Sequence, residues 1–145
     1  MTVIELAADG YDALLDHAEA GAPEEVCGVL GGTYGEDRSR VETVHPAENA
    51  AATPRSAYGI APEEQLALME AIEDAGREVV GFYHSHPAGP FEPSRTDAAQ
   101  ATWPGRSYVI AVLDAGHPYV GSWRWTGEEF AGERLAVRPG PAARR

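Results

Sequence analysis

Apolar residues recur every three or four positions in two segments of the chain, as they do along one face of a helix. The first segment predicts a helix over residues 9–20, with Asp9 as its N-cap and Gly21 as its stop. Pro62 suits the first position of the second helix, and Gly76 is placed to end it. The pattern therefore predicts two amphipathic helices that each bury one side.

Shorter apolar runs, bounded by turn residues, predict strands between and after these helices. A third, short helix is predicted to begin at Ser94. Because helices and strands are mixed along the chain, we expect a fold of the α/β (α+β) class, with helices packed on one sheet. The predicted strands cover residues 2–6, 26–31, 40–45, 78–83, 108–113, 119–125 and 130–137.

The length of the chain, 145 residues, predicts a single domain. All predicted elements fall within residues 1–137, which we expect to form the folded domain. Residues 138–145 consist of Pro, Gly, Ala and Arg and have too little apolar content to order themselves. They are therefore predicted to form a flexible tail.

The charge of the chain excludes several classes of partner. Asp and Glu total 23 against 11 Lys and Arg, so the formal net charge is −12 at pH 7. Nucleic acid and anionic lipid both require a basic patch, and neither is expected as a partner. All the basic residues are arginine, and without lysine Schiff-base chemistry is excluded. Dense carboxylates without lysine are typical of proteins from halophilic archaea, where salt screens self-repulsion.

The same composition predicts a cytoplasmic location. The single cysteine, Cys27, cannot form an internal disulfide. No apolar run reaches the roughly 18 residues that a membrane span needs. The first residues carry acidic side chains where a signal peptide would have a basic flank.

Two histidines lie close together at the end of a predicted strand. His84 and His86 are two positions apart, so both imidazoles point to the same side of the sheet. Two imidazoles suit zinc, and Asp97 follows beyond a loop that is long enough to fold back. Two histidines and one carboxylate leave a fourth position for water, as in a catalytic zinc site. The alternative is that the histidines merely end a strand.

Three further residues allow both a structural and a chemical interpretation. Ser94 and Asp97 fit a capping box at the start of the third helix, which is compatible with Asp97 also facing a metal. Glu25 precedes a buried strand and shares a face with Cys27, so Glu24 is expected to point to solvent. A buried acid at this position needs a partner or a function. The alternative for Glu25 is a solvated loop carboxylate.

Together these residues resemble a known signature. Residues 84–87 read His-Ser-His-Pro, and after six residues 94–97 read Ser-Arg-Thr-Asp. This is similar to the His-x-His-Pro-x6-Ser-x-x-Asp signature of the JAMM/MPN+ zinc metalloproteases. Residues 23–30 resemble that family's segment around its catalytic glutamate, with Glu25 at the matching position. The resemblance extends over nearly the whole chain.

The resemblance implies a fold and a set of roles. The fold would be a single MPN/JAMM domain, a cytidine-deaminase-like mixed sheet flanked by helices. His84, His86 and Asp97 would hold one zinc ion with a bound catalytic water. Glu25 would accept the proton of that water, and Ser94 would donate a hydrogen bond to the oxyanion.

The resemblance also implies a substrate class. Small free-standing archaeal members are similar to desampylases, which remove ubiquitin-like modifiers from lysines, after a C-terminal Gly-Gly, and from linear fusions. A second possibility is a peptidase that trims cysteine or C-terminal extensions from sulfur-carrier proteins. A third, of a different class, is a non-catalytic scaffold that binds a modifier. Residues 49–58 are a candidate wall of the channel that would admit the Gly-Gly tail.

A net charge of −12 predicts that activity rises with salt concentration. An acidic modifier is repelled by this surface in dilute salt, and screening removes the repulsion. The rate of conjugate cleavage, measured from dilute to roughly molar salt, tests this expectation. A rate that falls steadily as salt is added contradicts it.

Overall fold

The computed structural model describes residues 1–139. It contains every predicted helix and strand in the predicted order, and the bounds differ by a few residues. The helices are α1 (Ala8–Gly21), α2 (Pro62–Asp74) and α3 (Arg95–Gln100), with a 3-10 turn at Asp114–Gly116. The strands are β1 (Val3–Ala7), β2 (Cys27–Thr33), β3 (Arg38–Ala47), β4 (Glu78–His86), β5 (Ser107–Val112), β6 (Tyr119–Trp125) and β7 (Phe130–Arg138).

The strands form one sheet that closes on itself. Their order is β1-β3-β2-β4-β5-β6-β7, and β1 also pairs with β7, which makes a closed barrel. Closure depends on β1, which runs parallel to both neighbours, with Val3 opposite Arg38 on one side and Arg134 on the other. The predicted α+β class is confirmed. Closure of the sheet into a barrel was not predicted, because the pairing of the first and last strands has no local signal.

Both ends of α1 differ from the prediction, since Gly21, the predicted stop, is its last residue and Ala22 is the C-cap. Asp9 is not the N-cap of α1; Ala7 holds that position without a side-chain cap, and Asp9 lies in the first turn. The strand β1 runs directly into α1, so the helix begins before the acidic residue is reached. Pro62 opens α2 as predicted, and Gly76 follows its end with φ +82°. Within residues 1–139, none of the helices has the length and apolar character needed to cross a membrane.

The predicted tail is only partly within the described residues. Arg138 belongs to β7, so the strand extends one residue past the expected boundary. Residues 140–145 lie outside the described part of the chain.

A bulge in β4 decides which side chains face which part of the core. Leu30 pairs with Gly81 and Gly31 pairs with Val79, so Val80 is an extra residue between them. Such a bulge reverses the alternation of the side chains that follow it. As a result Phe82 joins the core beneath α2, together with Val29, Ile72, Val79, Tyr108 and Trp125. Tyr83 and Val80 join the core beneath α1, together with Ile4, Leu6, Leu14 and Leu30.

A buried ion pair supports the barrel away from this bulge. The carboxylate of Glu133 has no exposed surface and accepts a hydrogen bond from Arg124 Nε at 3.0 Å. It also accepts from the hydroxyls of Thr2, Ser107 and Ser122 at 2.6–2.8 Å. The network therefore links β5, β6 and β7 with the residue that precedes β1.

Replacing Glu133 with alanine is expected to destabilise the fold strongly. The change leaves the Arg124 guanidinium buried without its counter-charge, which typically costs about 3–5 kcal/mol. Urea unfolding, followed by circular dichroism in constant salt, measures the difference. The Glu128→Ala variant is the control, because Glu128 is an exposed acid in the turn before β7. Equal stability of the two variants contradicts the assigned role of the network.

Candidate metal centre

His84 and His86 lie within β4 and not beyond its end. The strand continues to His86 because β2 pairs with it as far as His84 and β5 as far as His86. Both imidazoles are buried, with 1% and 4% of their surface exposed. The bulge at Val80 has turned them toward the same side as Phe82, where α2 packs. The expectation that both rings share one face is therefore met.

Three donor groups meet at the end of this strand. The Nε2 atoms of His84 and His86 are 3.2 Å apart. The Asp97 Oδ1 atom lies 3.2 Å from His84 Nε2, and Oδ2 lies 3.1 Å from His86 Nε2. Asp97 is itself buried, with 5% exposed. A set of two imidazoles and one carboxylate at nearly equal separations can hold one metal ion.

Asp97 reaches the histidines because it also caps α3. Its backbone N–H donates to Ser94 Oγ at 3.0 Å, and its Oδ2 accepts from the Ser94 N–H at 2.8 Å. This is the predicted capping box. Burial alone would raise the pKa of Asp97, but hydrogen bonds from both histidines and from Ser94 hold it well below its usual range. The carboxylate is therefore an anion that faces the two rings.

The surroundings of each histidine orient its ring. The Nδ1 atom of His86 lies 2.9 Å from the Pro90 carbonyl oxygen, and since a carbonyl only accepts, Nδ1 carries the proton. That bond leaves Nε2 to face Asp97, and a bound metal would take the lone pair of Nε2 in place of its proton. The ring of Tyr58 stacks on His84, with centroids 4.2 Å apart and planes 19° from parallel. Burial lowers the pKa of His84, which favours the neutral ring.

Glu25 completes the site from the opposite side. It is buried, with 7% exposed, while Glu24 is exposed as predicted. Its carboxylate and the donor atoms of His84 and His86 all lie within 4.8 Å of one another. The Oε1 atom has no hydrogen-bond partner among the described residues. Burial, reinforced by the Asp97 charge and opposed by His86, raises the pKa of Glu25 to about 7.

Glu25 and Ser94 both lie at an open cleft. Glu25, Ser94 and His86 line a cavity of about 600 Å³, together with Arg55 and residues of the loop after β4. Because Ser94 Oγ accepts the Asp97 N–H bond, its hydroxyl proton remains free to be donated. The cleft can therefore admit a substrate to a carboxylate, a hydroxyl and the histidine pair.

The structure brings together all five residues singled out in the sequence, and their roles stay predictions. It also adds the contacts of Asn49 and Tyr58, which the sequence indicated only as the ends of a candidate channel wall. His17 is half-buried, with Nδ1 2.7 Å from the hydroxyl of Tyr83. His45 and His117 lie outside the cluster.

The chain matches a described protein family over most of its length. Residues 7–126 match the model for prokaryotic homologues of the JAB domain. The protein belongs to this family. The resemblance to JAMM/MPN proteins noted in the sequence is thereby confirmed.

Similar proteins cover from 74% to 94% of this JAB-domain chain. The desampylase of Haloferax volcanii is 46% identical over 138 residues, 92% of this chain and 96% of that protein. The CysO-cysteine peptidase of Mycobacterium tuberculosis is 42% identical over 108 residues, 74% of this chain and 72% of that protein. The solution structure of a Desulfitobacterium hafniense protein matches with a TM-score of 0.84 at 31% identity, covering 94% of this chain and 93% of that chain. The Haloferax source agrees with the predicted adaptation to salt.

Replacing Glu25 with glutamine is expected to stabilise the metal-free protein increasingly as pH rises. The folded-state pKa of about 7 lies above the ordinary value of 4.5, so folding disfavours the ionised carboxylate. Wild type therefore loses stability, relative to the variant, between about pH 4.5 and pH 7. Thermal unfolding in the presence of a chelator, from pH 5 to pH 8, measures the difference in Tm.

The shift of Asp97 has the opposite sign and is shared by both proteins, so it cancels in this comparison. A Tm difference between wild type and Glu25→Gln that shrinks toward pH 8 would contradict the environment assigned to Glu25.

Proposed function

We propose that this protein is a zinc-dependent isopeptidase that removes ubiquitin-like modifiers from lysine side chains and from linear fusions. The observation that carries the proposal is the joint burial of Glu25, His84, His86 and Asp97 beside the Ser94 hydroxyl. The prediction of a JAMM-type isopeptidase is confirmed by the family and by the similarity to a desampylase. Zinc, the assigned residue roles and the modifier itself are the parts that we propose.

The donor set fits zinc. In a tetrahedral site with bonds of about 2.0–2.1 Å, ligand atoms lie ~3.3 Å apart. The separations among His84 Nε2, His86 Nε2 and the Asp97 oxygens are 3.1–3.2 Å. Imidazole nitrogen and carboxylate oxygen are both ligands that zinc accepts, and three protein ligands leave a position for water. We therefore assign His84, His86 and Asp97 as the ligands.

The remaining residues supply the proton transfers. Zinc in this site would lower the pKa of water and polarise the scissile carbonyl. Glu25, with an unpartnered carboxylate oxygen at the cleft, accepts the proton of the attacking water and passes it to the leaving lysine amine. Ser94 donates a hydrogen bond from its hydroxyl group to the oxyanion, a contribution typically worth about 3 kcal/mol. The capping box keeps that hydroxyl in place.

The proposed substrate is a modifier with an extended C-terminal tail. Tyr58 stacks on His84 and also lines an adjoining cavity of about 560 Å³ between α2 and β4. We propose that residues 49–58 form one wall of the channel for the tail. A sulfur-carrier processing peptidase is the second candidate, supported by the 42% identity to the CysO-cysteine peptidase. The complete set of five residues speaks against a non-catalytic scaffold.

Several finer predictions accompany this proposal. We expect the ubiquitin-like modifier and its conjugates to be the partners, with no nucleic acid or membrane. A likeness to the cytidine-deaminase fold, a folded domain over residues 1–137 and a cytoplasmic location stay predictions.

Removal of the metal or of Glu25 is expected to abolish turnover. A chelator should stop cleavage of a Gly-Gly-linked modifier conjugate, and added zinc should restore it. Glu25→Ala should retain about one zinc per chain and lower kcat by about 10²- to 10⁴-fold, because general-base catalysis is lost. Zinc content is measured by atomic emission, and cleavage by electrophoresis. Glu24→Ala, an exposed neighbour, is the matched control and should behave as wild type.

The choice of substrate separates the candidates. Cleavage of both an isopeptide conjugate and a linear modifier fusion supports the proposed activity. Cleavage restricted to a modifier with a terminal cysteine supports sulfur-carrier processing. Binding of modifier without cleavage of any of the three, by zinc-loaded protein, supports the scaffold and ends the proposal.

A further inference from the structure

A single amide side chain organises the segment that follows β3. The Nδ2 group of Asn49 donates to the carbonyl oxygens of Glu25 at 2.8 Å and Ala57 at 3.0 Å. Its Oδ1 accepts from the N–H groups of Ala51 at 3.0 Å and Gly59 at 3.2 Å. Both donor hydrogens and both lone pairs of the amide are therefore used. One side chain thus closes the loop formed by residues 49–59 and binds this loop to Glu25.

Glu25 depends on this loop because the sheet does not hold it. Strand β2 begins at Cys27, so Glu25 precedes the ladder. Its carbonyl oxygen accepts from Asn49, and its N–H donates to the Pro54 carbonyl at 2.7 Å. Both polar groups of its peptide backbone are consequently bonded to the loop of residues 49–59. The first bond from this segment to the sheet is made by Val26, whose N–H donates to Ser85 Oγ at 2.8 Å.

The same loop packs against the site at a second point. Tyr58 lies between the two residues that Asn49 binds at the end of the loop, Ala57 and Gly59. Its buried ring stacks on His84. The loop supplies none of the proposed zinc ligands, which come from β4 and α3. A change in Asn49 should therefore displace Glu25 without removing the metal.

We propose that Asn49 is a positioning residue for the reaction, which acts by holding the backbone of Glu25 so that its carboxylate faces the cleft. The catalytic role of Asn49 rests on the proposed function, whereas its contacts with Glu25 and the loop do not depend on it. The Nδ2 group of Asn49 holds Glu25 and also bonds to Ala57, whereas the Oδ1 atom bonds only within the loop. Two substitutions separate these halves. Asn49→Ala removes both, and Asn49→Asp retains an acceptor oxygen but replaces the donor group with a second oxygen.

Amide hydrogen exchange in the metal-free protein tests the contacts. In Asn49→Ala, exchange should accelerate at Glu25, Ala51 and Gly59 and stay unchanged in β5. In Asn49→Asp, Ala51 and Gly59 should remain protected while Glu25 exchanges faster. Unchanged exchange at Glu25 in both variants overturns the proposal. Because this measurement needs neither zinc nor substrate, it stands even if the proposed function fails.

Steady-state kinetics of the zinc-loaded protein test the catalytic role. Both variants should lose about 10- to 100-fold in kcat, the usual effect of removing a partner that orients a site residue, with KM and zinc content little changed. In a Glu25→Ala background, Asn49→Ala should cause no further loss, because its effect passes through Glu25. Wild-type kcat in Asn49→Asp, or an additional loss in the double variant, overturns the proposal.

Thr126→Ala is the matched control for a merely structural role. Thr126 also organises a turn, since its hydroxyl accepts from the N–H groups of Glu128 and Glu129. The turn lies between β6 and β7, outside the cleft. This variant should lower Tm and leave kcat unchanged. A loss of kcat in Thr126→Ala equal to that of Asn49→Ala would show that destabilisation alone accounts for the effect.

Discussion

The Asp97 carboxylate caps helix α3 and faces both histidines, and the geometry of the site depends on this double contact. Its Oδ2 accepts from the Ser94 N–H while lying 3.1 Å from His86. Any movement of α3 would therefore also move Asp97, the third donor. The loop between β4 and α3 is held at its other end by the bond from His86 Nδ1 to Pro90. These bonds couple the His86 ring, the loop after β4 and α3, which keeps the donor atoms at fixed separations.

Two buried glutamates show how the same residue type serves opposite purposes. Glu133 accepts hydrogen bonds from Arg124 and three hydroxyls, so its oxygens are fully occupied and it stabilises the barrel. Glu25 is buried with one oxygen that has no partner within residues 1–139, and burial raises its pKa to about 7. A proton acceptor must have a free lone pair and a pKa near the working pH. Burial of the Glu25 carboxylate lowers the stability of the fold, and the same burial gives Glu25 the pKa that a proton acceptor needs. The sheet and the network around Glu133 offset this loss of stability.

The sequence by itself determined the elements and the donors. Short apolar runs and the helical spacing of apolar positions act locally, so the order of strands and helices was predictable. The pairing of His84 with His86 follows from the period of a strand, and the capping box from the spacing of Ser94 and Asp97. For Glu25 the sequence left burial and exposure both open, and the structure decided for burial, while Glu24 is exposed as predicted. Where a local rule competed with a neighbouring element, as at Asp9, the prediction of the cap was wrong.

Only the tertiary structure decided how these pieces meet. The bulge at Val80 turns the histidines to the side of α2, and it exists because β4 pairs with β2 in two registers. Barrel closure joins β1 to β7, over 120 residues apart in the chain. Asn49 and Tyr58 belong to the site through a bond to Glu25 and a stack on His84. Contacts between residues so distant in the chain arise from packing, which no local pattern encodes, and the orientation of the proposed base depends on them.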